Sequence, residues 1–275
     1  MVTNAGKVNP PAPHAAFHSP RNAGDVHLIF TETRGAVAVT DGWEESASAW
    51  IASMGERGDF SRRHILDKPM LARVDQSGAT AALDLGCGEG RFSRLLAARG
   101  IATVGIDPSP SLIAEARRRH PDGDYRVAGA EVMPLADGSV DLVVAYLSLI
   151  DIPDLAASIA EAERVLQPGG RLLIANLTSF FSAGNPSGWR TDTDGGSHFI
   201  IDHYMDERSD WVGWSGIRIR NWHRPMSTYM TLLLDAGLRL THFDEPLPDP
   251  AFPDQVALFK RVPSFVVMEW EKARG

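Results

Sequence analysis

Cysteine is nearly absent. The 275 residues contain one, Cys87, so no internal disulfide can form, and a reducing compartment, the cytoplasm, is expected. Long apolar runs are missing too. No stretch is apolar enough to span a bilayer, and no charged segment followed by an apolar run marks a signal peptide. Positive charge is in deficit, with 27 Lys and Arg against 35 Asp and Glu for a formal net charge of −8. An acidic surface disfavours nucleic acid and anionic membranes, which recruit basic stripes, so neither is expected as a partner. There is no internal repeat. The remaining length and apolar content suit one α/β domain with an inserted cap.

Residues Met1 to about Gly24 are rich in Pro, Ala, Asn and His without periodicity, and a flexible arm is expected over 1–40. Val26 to Val39 either holds a short strand or continues that arm. Helical spacing then predicts Trp43–Met54 and Arg63–Val74. From Ala81 a strand–helix rhythm begins. Strands are expected at Ala81–Leu85, Ala102–Ile106, Tyr125–Ala128, Val140–Tyr146 and Arg171–Leu177. The helix at Arg91–Arg99 closes on Gly100. A second is capped by Ser109 with Pro110 at its first position, and a third by Asp154 with Pro168-Gly169-Gly170 as its stop. The rhythm breaks over Thr178–Arg224, which holds Trp189, Trp211, Trp214 and Trp222. Ser227 is expected to cap a last helix to Leu234, followed by strands Leu238–Phe243 and Ser264–Trp270 around a proline-rich loop. Alternation with apolar strands means a Rossmann-like, seven-stranded, mostly parallel sheet with helices on both faces. The expected division is a core over 41–177, an inserted substrate cap over 178–224, and the last helix and two strands of the same sheet over 225–275.

The chemistry concentrates at Leu83-Asp84-Leu85-Gly86-Cys87-Gly88-Glu89-Gly90-Arg91, which joins the first strand to its helix. Glycines let the backbone turn sharply and approach a ligand closely. Asp107 ends the second strand about twenty residues on, where an acidic side chain can bind ribose hydroxyls. The dinucleotide fingerprint G-x-G-x-x-G requires a glycine where Arg91 stands, and Gly90 comes one position early. Asp84 precedes the loop, where a carboxylate suits a cationic amino group better than a phosphate.

With those residues the chain resembles the class I S-adenosylmethionine-dependent methyltransferases, in particular the small-molecule group that contains the ubiquinone/menaquinone methyltransferases. The resemblance covers Ala81–Leu177 strongly and the remainder weakly. It is carried by Asp84–Gly90, by Gly105-Ile106-Asp107-Pro108-Ser109, and by Arg164-Val165-Leu166-Gln167-Pro168-Gly169-Gly170-Arg171. It implies S-adenosyl-L-methionine as cofactor and a small-molecule acceptor. It further implies that Asp84, Gly86, Cys87, Gly88 and Gly90 hold the methionine moiety. Asp107 would bind the ribose, Pro108 would pack on adenine, and Ala130 and Glu131 would flank the adenine edge. Ala145 and Tyr146 would border the methionyl group. Two departures stand out: Gly129 replaces the acid that often precedes the alanine of the adenine segment, and Leu149-Ile150-Asp151 replaces a stretch that often carries histidine.

For catalysis the candidates are Asp151, which either caps the helix starting near Pro153 or orients an acceptor, and His223, whose imidazole has a suitable pKa for a general base. Trp189, His203, Tyr204 and Trp222 of the insert are candidates for an acceptor pocket, against a satellite core of the cap. The small size of Cys87 explains its place in the loop. His14 and His18, and the His198, Asp202, His203 and Asp206 group, lack the ligand set of a metal site, and no metal is expected. Two other readings stay open at this point: an NAD(P)-dependent oxidoreductase on a similar sheet, and a non-catalytic module that binds the same cofactor and a protein partner. The acceptor atom (O, N or C) and the oligomeric state are not legible.

Overall fold

A computed structural model describes residues 41–184 and 188–274. The expected arm over 1–40, with its Val26–Val39 alternatives, His14 and His18, lies outside the described residues. Trp43–Met54 forms helix α1, burying Ala47, Trp50 and Met54 along one face. The second helical pattern is divided: Arg62–Leu66 is a π-helical turn that runs into α2, Asp67–Ser77. Such turns are rare and recur at functional sites.

The core then follows the expected rhythm: β1 (Ala81–Leu85), α3 (Arg91–Ala97), β2 (Ala102–Asp107), α4 (Pro110–Arg119), β3 (Asp124–Val127), β4 (Val140–Tyr146), α5 (Leu155–Val165) and β5 (Leu166–Leu177). Ser109 caps α4 by accepting from the Leu112 amide at 3.2 Å, and Asp154 caps α5 through the Ala157 amide at 3.0 Å. Pro168-Gly169-Gly170 does more than stop α5. The strand begins at Leu166 and runs through these residues, which the β4–β5 ladder absorbs as a register shift between Val140 and Leu142.

After β5 come α6 (Ser179–Ala183), the hairpin β6 (Trp189–Thr191) with β7 (Ser197–Phe199), and the hairpin β8 (Arg208–Trp214) with β9 (Ile217–His223). The chain ends with α7 (Met226–Asp235), β10 (Leu238–Asp244), α8 (Pro253–Phe259) and β11 (Phe265–Lys272). Two expectations need correction here. Ser227 does not cap α7. It lies inside the helix, which starts behind Pro225, and the Met226 amide donates to the Tyr204 hydroxyl at 3.2 Å instead. Nor is α7 the last helix, because the proline-rich loop contains α8 with Pro253 in its first turn, where a missing N–H costs nothing.

The seven-stranded sheet has the order β10-β11-β5-β4-β1-β2-β3, and only β11 runs against its neighbours. Strand alternation splits the core into two layers. Leu83, Leu85, Val143 and Ala145 face α5 and α7, whereas Ala82, Leu142, Val144 and Tyr146 face α2 and α3. A one-residue slip would exchange the two layers, so the register is firmly set. The chain travels outward through β1, β2 and β3 and returns to β4 on the other side of β1. That reversal opens a crevice outside the carboxyl ends of β1 and β4, where open α/β sheets bind ligands.

Candidate active site

The glycine turn after β1 is held from below. The amides of Gly86 and Cys87 both donate to the Ile106 carbonyl at 2.9 Å, which ties the turn to the end of β2. The Gly88 amide donates to Asp107 Oδ2 at 3.0 Å, and the Ser109 amide to Asp107 Oδ1 at 2.9 Å. Asp107 is thereby fixed with lone pairs to spare. Gly88 has φ +54°, and a Cβ there would meet only the Trp50 indole nitrogen, at 3.6 Å, so any side chain would occupy ligand space. Gly90, with φ +76°, is crowded from the other side: a Cβ would stand 2.7 Å from the Tyr125 ring.

These groups line a cavity of about 340 Å³. Its floor carries Asp84, Gly86, Cys87, Gly88 and Asp107, and one wall carries Pro108, Gly129, Ala130 and Glu131. The end of β4 adds Tyr146, Leu147 and Ser148, with Asp151 beyond them. Carboxylates outnumber guanidiniums among the lining residues. Asp84, Glu89, Asp107, Glu131 and Asp151 face only Arg62 and Arg91, and Arg91 is already paired with Asp67. Burial pushes the Asp84 carboxyl up to about 7 against the 2.6 Å hydrogen bond from Ser93, with Glu89 and Asp107 adding like charge. Burial likewise lifts Asp107 to about 6 despite its two amide donors. Asp151 is raised by burial as well, against a hydrogen bond from the Asn221 amide of β9. Acids held together in this way favour a cationic ligand, which lowers their mutual cost.

The roof comes from residues that the sequence motifs do not mark. Trp43 and Trp50 of α1 line the cavity edge to face, with ring centroids 4.9 Å apart. Trp50 donates its indole N–H to Glu89 at 2.9 Å. Arg62, on the π-helical turn, lies over the rings of Trp50 and Tyr146 at 4.9 and 5.7 Å and pairs with Asp59 at 2.8 Å. The signal that was present is the seven-residue spacing of the two tryptophans, which places both on one helical face.

Among the residues singled out from sequence, Asp84, Gly86, Cys87, Gly88, Asp107, Pro108, Ala130, Glu131, Tyr146 and Asp151 are brought together on this cavity. Gly90 and Ala145 stand behind it, Gly90 under Tyr125 and Ala145 fully buried in the sheet core. Burial raises the Cys87 thiol pKa well above its ordinary value, which leaves it without nucleophilic character.

The insert candidates do not line this cavity. His223 is 2 % exposed and has both ring nitrogens engaged, Nδ1 with the Ser182 hydroxyl and Nε2 with the Tyr204 carbonyl, each at 2.8 Å. Burial also lowers its pKa. No lone pair remains for an acceptor's proton. Tyr204 is spent on His223 and the α7 amide. His203 is exposed and pairs with Asp206. Trp189 packs edge-on to Phe199 beneath Arg261, and Trp222 lies under Arg224. The Trp222 indole N–H is buried without a hydrogen-bond partner among the described residues. Among the described residues no cluster of three or more His, Cys, Asp or Glu is arranged to hold a metal, and no helix is long and apolar enough to cross a membrane.

Comparison with known proteins points the same way as the geometry. Residues 83–174 match the family model of a methyltransferase domain. A demethylmenaquinone methyltransferase of Beutenbergia cavernae is 34% identical over 134 residues, 44% of this chain and 56% of that protein. A malonyl-[acyl-carrier protein] O-methyltransferase of Serratia marcescens is 30% identical over 142 residues, 52% of this chain and 53% of that protein. The chain thus spans about half the length of these curated relatives. Among solved structures, an S-adenosylmethionine dependent methyltransferase from Mesorhizobium loti is 26% identical, with a TM-score of 0.68. It covers 74% of this chain and 96% of its own.

Proposed function

Since residues 83–174 form a methyltransferase domain of the class I S-adenosylmethionine-dependent family, we propose that the whole protein transfers a methyl group from that cofactor to a small-molecule acceptor. One observation carries the proposal: the Gly86–Glu89 turn, the Asp107 carboxylate and the Gly129–Glu131 segment converge on a single acidic cavity under α1. The donor set fits the cofactor. Asp107, after accepting from Gly88 and Ser109, offers its remaining lone pairs to ribose hydroxyls. Pro108 and Ala130 supply apolar faces for adenine, with Glu131 at its edge. Gly129 brings no side chain, which leaves the backbone to read the base there. Asp84 and the glycine turn suit the ammonium end of the methionine moiety, and Arg62 suits its carboxylate. The net negative lining suits a ligand bearing two cationic centres.

When bound, the cofactor supplies a methyl group made electrophilic by its sulfonium. The chain's own contribution is placement and exclusion of water. Tyr146, Leu147 and Ser148, at the end of β4, border the methionyl end. Trp43 and Trp50 close the cavity from above, so solvent is displaced by aromatic surface. Holding both reactants in line supplies several kcal/mol of barrier lowering. Of the two bases considered from sequence, only Asp151 faces the cavity, and it is the residue positioned to take a proton from a hydroxyl or ammonium acceptor. Residues 178–224 form an insert between β5 and α7 in this reading, and their contribution to the cavity runs through Asn221, which fixes Asp151.

Two relatives carry names that specify a demethylmenaquinone and a malonyl carrier protein as substrates. For this chain the acceptor class is set by assay. Calorimetry with S-adenosylhomocysteine should give a defined affinity that Asp107→Ala weakens strongly. An S-adenosylhomocysteine-release assay over phenols, amines, carboxylates and quinones should then find a turnover that Asp151→Ala lowers about 100-fold. Wild-type protein that ignores the ligand at millimolar concentration overturns the proposal. Unchanged turnover in Asp151→Ala removes the base.

A further inference from the structure

Helix α1 belongs to neither layer of the sheet core. Ala47, Trp50 and Met54 join a separate cluster with Leu112 of α4 and with Val212, Ile217 and Ile219 of the β8–β9 hairpin. Backbone ties confirm the partnership. The Ser46 hydroxyl donates to the Arg218 carbonyl at 3.0 Å and accepts from the Arg218 amide at 2.9 Å, and the Arg220 amide donates to the Asp41 carbonyl at 3.0 Å. The helix starts behind Gly42 and is followed by Gly55 and Gly58, all with positive φ, and no side chain caps its N-terminus. Gly42 lies within the unit, since Asp41 before it is bonded to Arg220, whereas Gly55 and Gly58 after the helix are backbone points that absorb rotation at low cost.

Against the core, α1 is held at its first turn by Glu44, which accepts from the Ser109 hydroxyl and from the Ser111 amide and hydroxyl of α4, and in its middle by Trp50. Trp50 donates to Glu89 at 2.9 Å in a buried contact, and Trp43 and Asp151 both line the cavity. Glu89 is 3 % exposed. Its other oxygen finds no hydrogen-bond donor among the described residues, and the nearest cation, Arg119, stands 4.0 Å away. The Trp50 indole is therefore the one side-chain hydrogen bond holding this carboxylate among the described residues. Glu89 also sits between Gly88 and Gly90, inside the turn that faces the ligand.

We propose that α1 and the β8–β9 hairpin move as one lid, and that Trp50 and Glu89 are the positioning pair that seats it on the fixed glycine turn when ligand fills the cavity. The inference rests on the reading that this turn holds the cofactor. The fixed turn holds Glu89 in place, Glu89 receives the Trp50 indole, and the seated indole brings Trp43 over the methyl-transfer end. Release of spent cofactor then requires the pair to part.

Amide hydrogen exchange on the full-length protein tests this, read on a peptide covering 43–54 with and without S-adenosylhomocysteine. Wild-type protein should show exchange of α1 slowed about tenfold by the ligand. Trp50→Phe keeps an aromatic ring and removes the donor; it should lose that slowing and release the ligand about tenfold faster. Glu89→Ala should match it, and the two changes together should do no more than either alone. Glu89→Gln retains an acceptor oxygen for the indole and should restore protection. Exchange across 140–146, in the sheet centre, should be unchanged in every variant, which separates lid seating from unfolding. Should Glu89→Ala fail to fold, Trp50→Phe and Glu89→Gln still decide the matter. Ligand that binds the wild type without slowing α1, or full protection in Trp50→Phe, overturns the lid. Wild-type protein that binds no S-adenosylhomocysteine overturns the cofactor reading first and the lid with it.

Discussion

The floor of the cavity is made of backbone and its roof is made of side chains. Below, the amides of Gly86 and Cys87 are locked to the Ile106 carbonyl and that of Gly88 to the Asp107 carboxylate, so the turn after β1 is tied to the end of the adjacent parallel strand β2. Above, α1 reaches the core through side chains, the Trp50 indole on Glu89 and the Glu44 carboxylate on Ser109 and Ser111 of α4, and its buried residues form a cluster apart from both sheet layers. A floor of this kind is rigid because it is an extension of the β1–β2 and β1–β4 ladders. A roof of this kind can be lifted without breaking a sheet hydrogen bond. The binding site is thus preorganised on one side and adjustable on the other, the combination expected where a constant cofactor meets an acceptor that must enter and leave.

The sharpest way to break this contrast is to fill the floor. Gly88→Val places a branched side chain in the ligand space at a positive φ that valine resists. Crowding and backbone strain of about 3 kcal/mol together should weaken S-adenosylhomocysteine at least about 100-fold in calorimetry. Wild-type affinity in the Gly88→Val protein would show that the turn is not the floor of the cofactor site. Arg62→Ala, on the adjustable side, should cost less, about tenfold for S-adenosylhomocysteine. The same change should leave methylthioadenosine untouched, because that ligand lacks the amino-acid carboxylate. Equal loss for both ligands would place Arg62 in a structural role.

The same division explains what sequence alone can deliver. Asp84, the glycine turn and Asp107 are legible because local backbone geometry imposes a fixed spacing on them, and the structure brings them together on the cavity. Strand and helix positions in 81–177 are legible for the same reason, since alternation and capping are local properties. The roof is not local. Trp50 meets Glu89 across 39 residues and Asn221 meets Asp151 across 70, and no periodicity encodes either pair. Tryptophan enrichment in the insert suggests a pocket, yet Trp189 and Trp222 are taken up by Phe199, Arg261 and Arg224. An aromatic residue satisfies a satellite core as well as a pocket, so composition cannot separate them. The π-helical turn that carries Arg62 leaves no mark distinct from an ordinary helical pattern.

Protonation gives a smaller test of the floor, with two opposite signs. Asp84 and Asp107, at about 7 and about 6, both lie above the ordinary carboxyl value near ~3.9. The folded state therefore binds these protons more tightly than the unfolded one. Their contribution to stability is complete below about pH 4 and is lost as pH rises through about 6 to 7. The ligand acts in the other direction, because its ammonium and its ribose hydroxyls both prefer ionised carboxylates. Between about pH 5.5 and 7.5 the melting temperature of ligand-free protein should fall relative to Asp84→Asn, while affinity for S-adenosylhomocysteine should rise several-fold. A flat affinity profile over that range would mean that neither acid touches the ligand.

The smallest effect on activity is expected at His223, and the reason lies in its partners. The Tyr204 carbonyl can only accept, so Nε2 carries the proton and Nδ1 is left as the acceptor for the Ser182 hydroxyl. Burial lowers the ring's pKa, both of its nitrogens are engaged, and it does not line the cavity. Replacing it by alanine leaves the Tyr204 carbonyl without its donor and the Ser182 hydroxyl with only the Ser179 carbonyl at 3.3 Å, at about 1–3 kcal/mol for the orphaned carbonyl. At about 2–4 °C per kcal/mol, the melting midpoint of His223→Ala should drop by several degrees. Turnover per folded molecule, and affinity for S-adenosylhomocysteine, should stay at wild-type values. A large fall in kcat with unchanged stability would return His223 to the reacting centre and demand a second cavity beneath the cap.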